Sequence, residues 1–150
     1  LTIKFLGDTD EALLAPMHDA IEQSVKPHLP IRIPSERIGV FPRVQQPTVL
    51  WVGPGERWRH TDDASRLVAL HQAVEAACQP FGFPPEGRAL SPHLTLARIK
   101  EGQRRVGQEL RRTGVMNRPL VLDAVSVRTL TLMKSELRPE GALYTRVWEC

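Results

Sequence analysis

The sequence predicts an α+β fold: two pseudo-symmetric lobes of mainly antiparallel sheet, with helices outside and a cleft between the lobes. Strand-like and helix-like stretches are interspersed, and the strands alternate apolar with polar residues, which argues against an all-parallel sheet. The last two strands flank a turn at Arg138-Pro139-Glu140-Gly141 and read as a hairpin. A short motif occurs twice, Leu1-Thr2-Ile3 and Leu94-Thr95-Leu96, its threonines 93 residues apart. Two such strands from opposite halves of a chain suggest a related pair of lobes.

The opening Leu1–Gly7 reads as a strand, after which Asp8 or Asp10 caps a helix. From Glu11 to about Val25 the apolar residues Leu13, Leu14, Met17, Ile21 and Val25 keep helical spacing, stopped before Pro27. Ile31-Arg32-Ile33 alternates as a short strand. Gly39-Val40-Phe41-Pro42 reads as a turn into a polar loop, and Thr48–Val52 as a strand broken by Gly53-Pro54-Gly55. Ser65–Cys78 has the clearest helical stripe, formed by Leu67, Leu70, Val74 and Ala77. Pro80–Pro85 is a stiff turn leading to a strand at His93, and Gln103–Arg112 is a basic helix. Leu120–Leu132 and Leu143–Trp148 are the closing strands. No linker separates independent domains.

A chain of 150 residues, 41% hydrophobic and 25% charged, has material for one core or two small lobes sharing an interface. No apolar run approaches the ~20 residues that span a bilayer, and no stretch resembles a signal peptide, so no membrane contact is expected. Cys78 and Cys150 form neither a disulfide framework nor a zinc pattern, which favours a reducing, cytoplasmic setting. The net charge of +3 tilts toward a polyanionic partner.

The chemistry concentrates in Ser91-Pro92-His93-Leu94-Thr95-Leu96-Ala97-Arg98. Side chains alternate along a strand, so His93 and Thr95 share one face while Leu94 and Leu96 anchor the other in a core. The residue answering His93 in the first motif falls one place before Leu1, and Leu1 is not an initiator methionine, so upstream sequence is expected. Two opposed histidines can divide proton transfer at phosphorus, one taking a proton from water and the other giving one to a leaving oxygen. The threonine hydroxyls hold the non-bridging oxygens. No metal or other cofactor is required.

These residues resemble the two-histidine phosphoesterase superfamily, and within it the RNA 2′,3′-cyclic phosphodiesterases, also called 2′-5′ RNA ligase-like. The likeness runs in order through Lys4-Phe5-Leu6-Gly7-Asp8, Gly39-Val40-Phe41-Pro42, Val49-Leu50-Trp51-Val52-Gly53, Phe81 with Pro84-Pro85, Pro92–Arg98 and Ser135-Glu136-Leu137. The resemblance implies a single bilobal domain over residues 1–150, with the substrate phosphate between the lobes and without the family's first strand, helix and catalytic histidine. It makes His93 catalytic, with Thr95 and Thr2 as the phosphate-binding threonines of the two motifs. The implied activity is metal-independent hydrolysis of RNA 2′,3′-cyclic phosphate ends to 2′-phosphomonoesters, by a monomer. The alternatives are a phosphoesterase of 2′-5′ oligonucleotides or another small cyclic phosphate, and a non-catalytic RNA-binding module.

Each site residue also has a plainer reading. His93 with Thr95 is otherwise a half-buried polar strand pair. Lys4 shares the Thr2 face and either meets a phosphate or is a solvated strand-end lysine. Arg98, at odd spacing from His93, points away from it on a regular strand unless a bend returns it. Phe41 and Trp51 are candidates to stack on a nucleobase, although Trp51 in an apolar strand is more simply core. Arg104, Arg105, Arg111 and Arg112 form a cationic helix face, either solvated or an RNA-backbone footprint. His18, His28, His60 and His71 show no ligand spacing and read as surface or helix-flank residues.

Overall fold

A computed structural model describes residues 1–139 and 141–150 and gives mixed helix and antiparallel sheet, organised as two compact units. One unit gathers Leu1–Thr2, Arg32–Ser65 and Leu90–Ser126; the other gathers Ile3–Ile31, Arg66–Ala89 and Val127–Cys150. Three helices and seven strands are assigned among the described residues.

The first unit holds a three-stranded sheet of order β2-β3-β4, made of β2 (Arg37–Phe41), β3 (Val49–Gly53) and β4 (Leu94–Arg98). Both pairings are antiparallel. A two-stranded sheet joins β1 (Ile31–Ser35) to β5 (Leu122–Val127), and a helix, named α3 in chain order, covers Gln103–Thr113. Gly107 lies against the Val44 carbonyl, where any added Cβ would collide, so α3 docks backbone to backbone on the 42–46 loop.

The second unit carries helix α1 (Leu14–Val25), entered through a 3₁₀ turn at Glu11–Leu13. Asp10 caps that turn by accepting from the Ala12 amide at 2.9 Å. Met17, Ile21 and Val25 from α1, together with Ile31 and Leu67, Leu70, Val74 and Cys78 of α2 (Asp62–Cys78), are the buried apolar residues of this unit. Strands β6 (Thr131–Arg138) and β7 (Gly141–Glu149) form an antiparallel hairpin. Glu140 of the expected turn lies outside the described residues.

Four expectations change. Leu1–Gly7 is not a strand: it has no ladder partner, and the Phe5 amide reaches only the Glu86 carboxylate at 3.5 Å. The stretch around Gly39 is strand β2 and not a turn. Helix α2 begins at Asp62, three residues before Ser65, because the Thr61 hydroxyl accepts from the Ala64 amide at 3.2 Å and Asp62 and Asp63 complement the helix dipole. Leu120–Leu132 divides into β5 and the start of β6, since β5 pairs with β1 whereas Leu130 exchanges both backbone hydrogen bonds with Cys150.

Candidate active site

The register of the three-stranded sheet decides which side chains meet. Opposed residues of an antiparallel pair lie on the same face, and β3 sends Val49, Trp51 and Gly53 to one side. Opposite these three, β2 supplies Phe41, Gly39 and Arg37 in turn. On β4, Thr95 stands opposite Trp51 and Arg98 opposite Val49, with Ala97 opposite Leu50 and Leu94 opposite Val52. The spacing from Thr95 to Arg98 is odd, so one residue must be extra, and Leu96 is that residue: a bulge between the Leu50 and Trp51 pairings. The bulge brings Arg98 round to the Thr95 face, which regular alternation would deny it. As the inserted residue Leu96 is 56% exposed, so it does not anchor the strand in a core as its period predicts.

His93 immediately precedes β4 and joins this face. Its ring meets Phe41 edge-on at 5.0 Å and lies 6.1 Å from Trp51, which stacks on Phe41 at 5.3 Å. Such aromatic pairs contribute about 0.5–1.5 kcal/mol each beyond area burial, enough to restrict the imidazole. Nδ1 lies 2.7 Å from the Ser91 carbonyl, an acceptor only, so Nδ1 carries the proton. With the Nδ1 proton so held, the imidazole in its basic form presents the lone pair of Nε2, the arrangement a general base needs.

The aromatic floor depends on Gly39. The Trp51 indole covers it so closely that any Cβ there would overlap the six-membered ring. Trp51 is buried, as its apolar strand predicts, and its Nε1 has no hydrogen-bond partner among the described residues. Arg37 lies over the same indole, 5.3 Å from the ring centroid, while donating to the Pro54 carbonyl and to Glu56. Sequence reasoning missed Arg37. Once 37–41 is read as a strand, its even spacing from Gly39 and Phe41 puts it on the site face.

The remaining candidates stand elsewhere. Thr2 belongs to the same unit as His93 and Thr95 and is exposed. Lys4 belongs to the other unit. Its ammonium donates to Glu75 at 2.6 Å and to the Pro84 carbonyl at 2.8 Å, and its side chain is only 5% exposed. Glu75 also accepts from the Glu86 amide and lies 3.3 Å from His71 Nε2. His71 is therefore part of a buried polar cluster and not a surface residue. Cys78 is unpaired, and burial pushes its thiol up while Lys4 opposes the rise and Glu75 adds to it, which suits an inert core position. Among the described residues no three His, Cys, Asp or Glu side chains gather in a form that would hold a metal ion.

This geometry has known relatives. The model of the 2′-5′ RNA ligase superfamily matches residues 1–138. The RNA 2′,3′-cyclic phosphodiesterase of Aquifex aeolicus is 32% identical over 150 residues, covering 99% of this chain and 75% of the relative. That of Aeropyrum pernix is 30% identical over 149 residues, covering 99% and 79%. The crystal structure of TT0787 of Thermus thermophilus superposes with a TM-score of 0.68 at 25% identity, covering 99% of this chain and 75% of that one. The chain belongs to the 2′-5′ RNA ligase superfamily.

Proposed function

We propose that this protein hydrolyses RNA 2′,3′-cyclic phosphate ends to 2′-phosphomonoesters without a metal ion. The observation that carries the reading is the shared sheet face of His93, Thr95 and Arg98, with His93 Nε2 left free by the bond from Nδ1 to the Ser91 carbonyl. The naming of the Aquifex and Aeropyrum relatives as RNA 2′,3′-cyclic phosphodiesterases supports the substrate.

In this reading His93 Nε2 takes a proton from water as the water oxygen bonds to phosphorus. The bond from phosphorus to the 3′-oxygen breaks in line, and a second acid protonates that oxygen. The Thr95 hydroxyl, the Arg98 guanidinium and Thr2 of the first motif hold the non-bridging oxygens as charge develops on them. Each proton-transfer group supplies ~10²–10⁴ in rate. Phe41 is positioned to meet the nucleoside as well as the imidazole. Lys4, already held by Glu75 and Pro84, anchors the opening segment.

A monomer in a reducing cytoplasm fits the two unpaired cysteines. Among the described residues no helix is long and apolar enough to cross a membrane. The test is to incubate the protein with 2′,3′-cyclic AMP and follow the product by phosphorus NMR. A single 2′-phosphate is expected. A 3′-phosphate reverses the proposed orientation of the ribose, and no turnover with retained RNA binding favours the non-catalytic module.

A further inference from the structure

Charge is distributed unevenly between the two units. The unit carrying His93 has twelve Lys and Arg against seven Asp and Glu, the other eight against ten, which together make the chain's 20 and 17. Much of the excess lies between Arg98 and Arg118, which holds seven Lys and Arg but only Glu101 and Glu109. On α3 the two sides differ. Arg112 donates to Glu109 and the hydrogen bond holds that carboxyl below its usual range, so this shoulder is compensated. Arg104 and Arg111 lie seven residues apart, two helical turns or about 10 Å along one face. Both are exposed, and neither has a carboxylate partner among the described residues.

At the foot of α3 lies an open recess of about 480 Å³ lined by Pro42, Arg43, Gln46, Thr48 and Gln103. It adjoins the site face: Pro42 follows Phe41, and Thr48, which precedes the Val49 partner of Arg98, bonds the Phe41 carbonyl and the Ile99 amide. No acidic residue lines it. Among the described residues Arg43 donates only to Gln46 Oε1 at 3.3 Å, leaving most of the guanidinium and the Gln46 amide hydrogens for a ligand. Gln103 already donates to the Ile99 and Lys100 carbonyls and the Thr48 hydroxyl to the Phe41 carbonyl, so the donors facing a phosphodiester and a base edge are the Arg43 guanidinium and the Gln46 amide. The docking of Gly107 on the loop fixes the basic helix beside this recess.

We propose that the recess and the Arg104–Arg111 face bind the RNA chain leading up to the reacting end, so that the preferred substrate is a single-stranded oligonucleotide and not a mononucleotide. The inference rests on the proposed hydrolysis of cyclic phosphate ends and names the substrate class of that site. RNA is favoured over an acidic peptide because the recess continues the face expected to hold a ribose phosphate and the Gln46 amide can meet a base edge.

The experiment compares kcat/KM of the protein for 2′,3′-cyclic AMP and for a six-nucleotide RNA ending in the same cyclic phosphate. The oligonucleotide is expected to be at least tenfold better. In Arg43→Gln and in the double variant Arg104→Gln/Arg111→Gln that advantage falls about tenfold, while cyclic AMP turnover stays within twofold of wild type and so reports an intact fold. In parallel, binding of a six-nucleotide RNA with a 3′-hydroxyl is followed by fluorescence anisotropy against salt. Losing two phosphate contacts lowers the slope of log affinity against log salt by about 1.4 for a single strand. Turnover of cyclic AMP with no gain for the oligonucleotide overturns this inference and leaves the proposed function standing. Turnover of neither substrate overturns the proposed function, and the anisotropy arm still decides: RNA binding unaltered in both variants overturns the inference.

Discussion

Moving the Arg98 guanidinium by one residue tests the bulge and the site together. On a regular strand residue 97 has the parity of His93 and Thr95, so Ala97→Arg combined with Arg98→Ala would restore an arginine to their face. The register says the opposite: residue 98 stands opposite Val49 on the Trp51 side, while residue 97 stands opposite Leu50 on the reverse side. A hydrogen bond to a charged group contributes about 1.5–3 kcal/mol. Arg98→Ala should therefore lower kcat/KM by roughly 10- to 150-fold, taking 1.36 kcal/mol per factor of ten. The double variant should be no better than Arg98→Ala alone. The assay is kcat/KM on 2′,3′-cyclic AMP, with near-UV circular dichroism to verify that the sheet persists. Recovery of wild-type activity by the double variant would refute the bulge-based placement of Arg98.

Three further outcomes follow from the structure. Glu75→Leu strands a buried ammonium and should cost about 3–5 kcal/mol in urea unfolding, whereas adding Lys4→Met to it should recover most of that loss; an unchanged midpoint in the single variant would contradict the buried pair. Gly39→Val drives a side chain into the Trp51 indole, so it should destabilise by about 1–3 kcal/mol, shift tryptophan fluorescence and lower turnover by displacing the wall behind His93. Turnover should survive thorough chelation, because the proposed proton transfers need only acid–base groups; loss on adding EDTA with recovery on adding zinc or manganese would replace the acid–base account with a metal site.

Periodicity in the sequence was sufficient for α1, α2 and β1, whose buried faces repeat every 3.6 or two residues, whereas α3 was legible from its composition and β3 and β4 from apolar runs bounded by turns. It failed where a residue answers to a neighbour distant in sequence. Gly39 reads as a turn residue, yet it is glycine because the Trp51 indole lies on it. Arg98 reads as facing away, since a period of two cannot register the extra residue at Leu96. Leu1–Gly7 has strand composition but no ladder partner, and a strand is defined by its pairing. His71 looks like a flank residue until Glu75, one turn on, is seen to be buried with Lys4. The His93–Thr95 pair was legible because its alternation is local. Arg37 and the aromatic wall were not, because they enter from β2 and β3.

The most direct test of the account is the turnover of 2′,3′-cyclic AMP by the His93→Ala variant. Removing the group that takes the proton from water should lower kcat by ~10²–10⁴, with secondary structure by circular dichroism unchanged because His93 precedes β4 and contributes no ladder pair. Turnover within a factor of a few of wild type would contradict the assignment of His93 as the base, and with it the mechanism built on its Nε2.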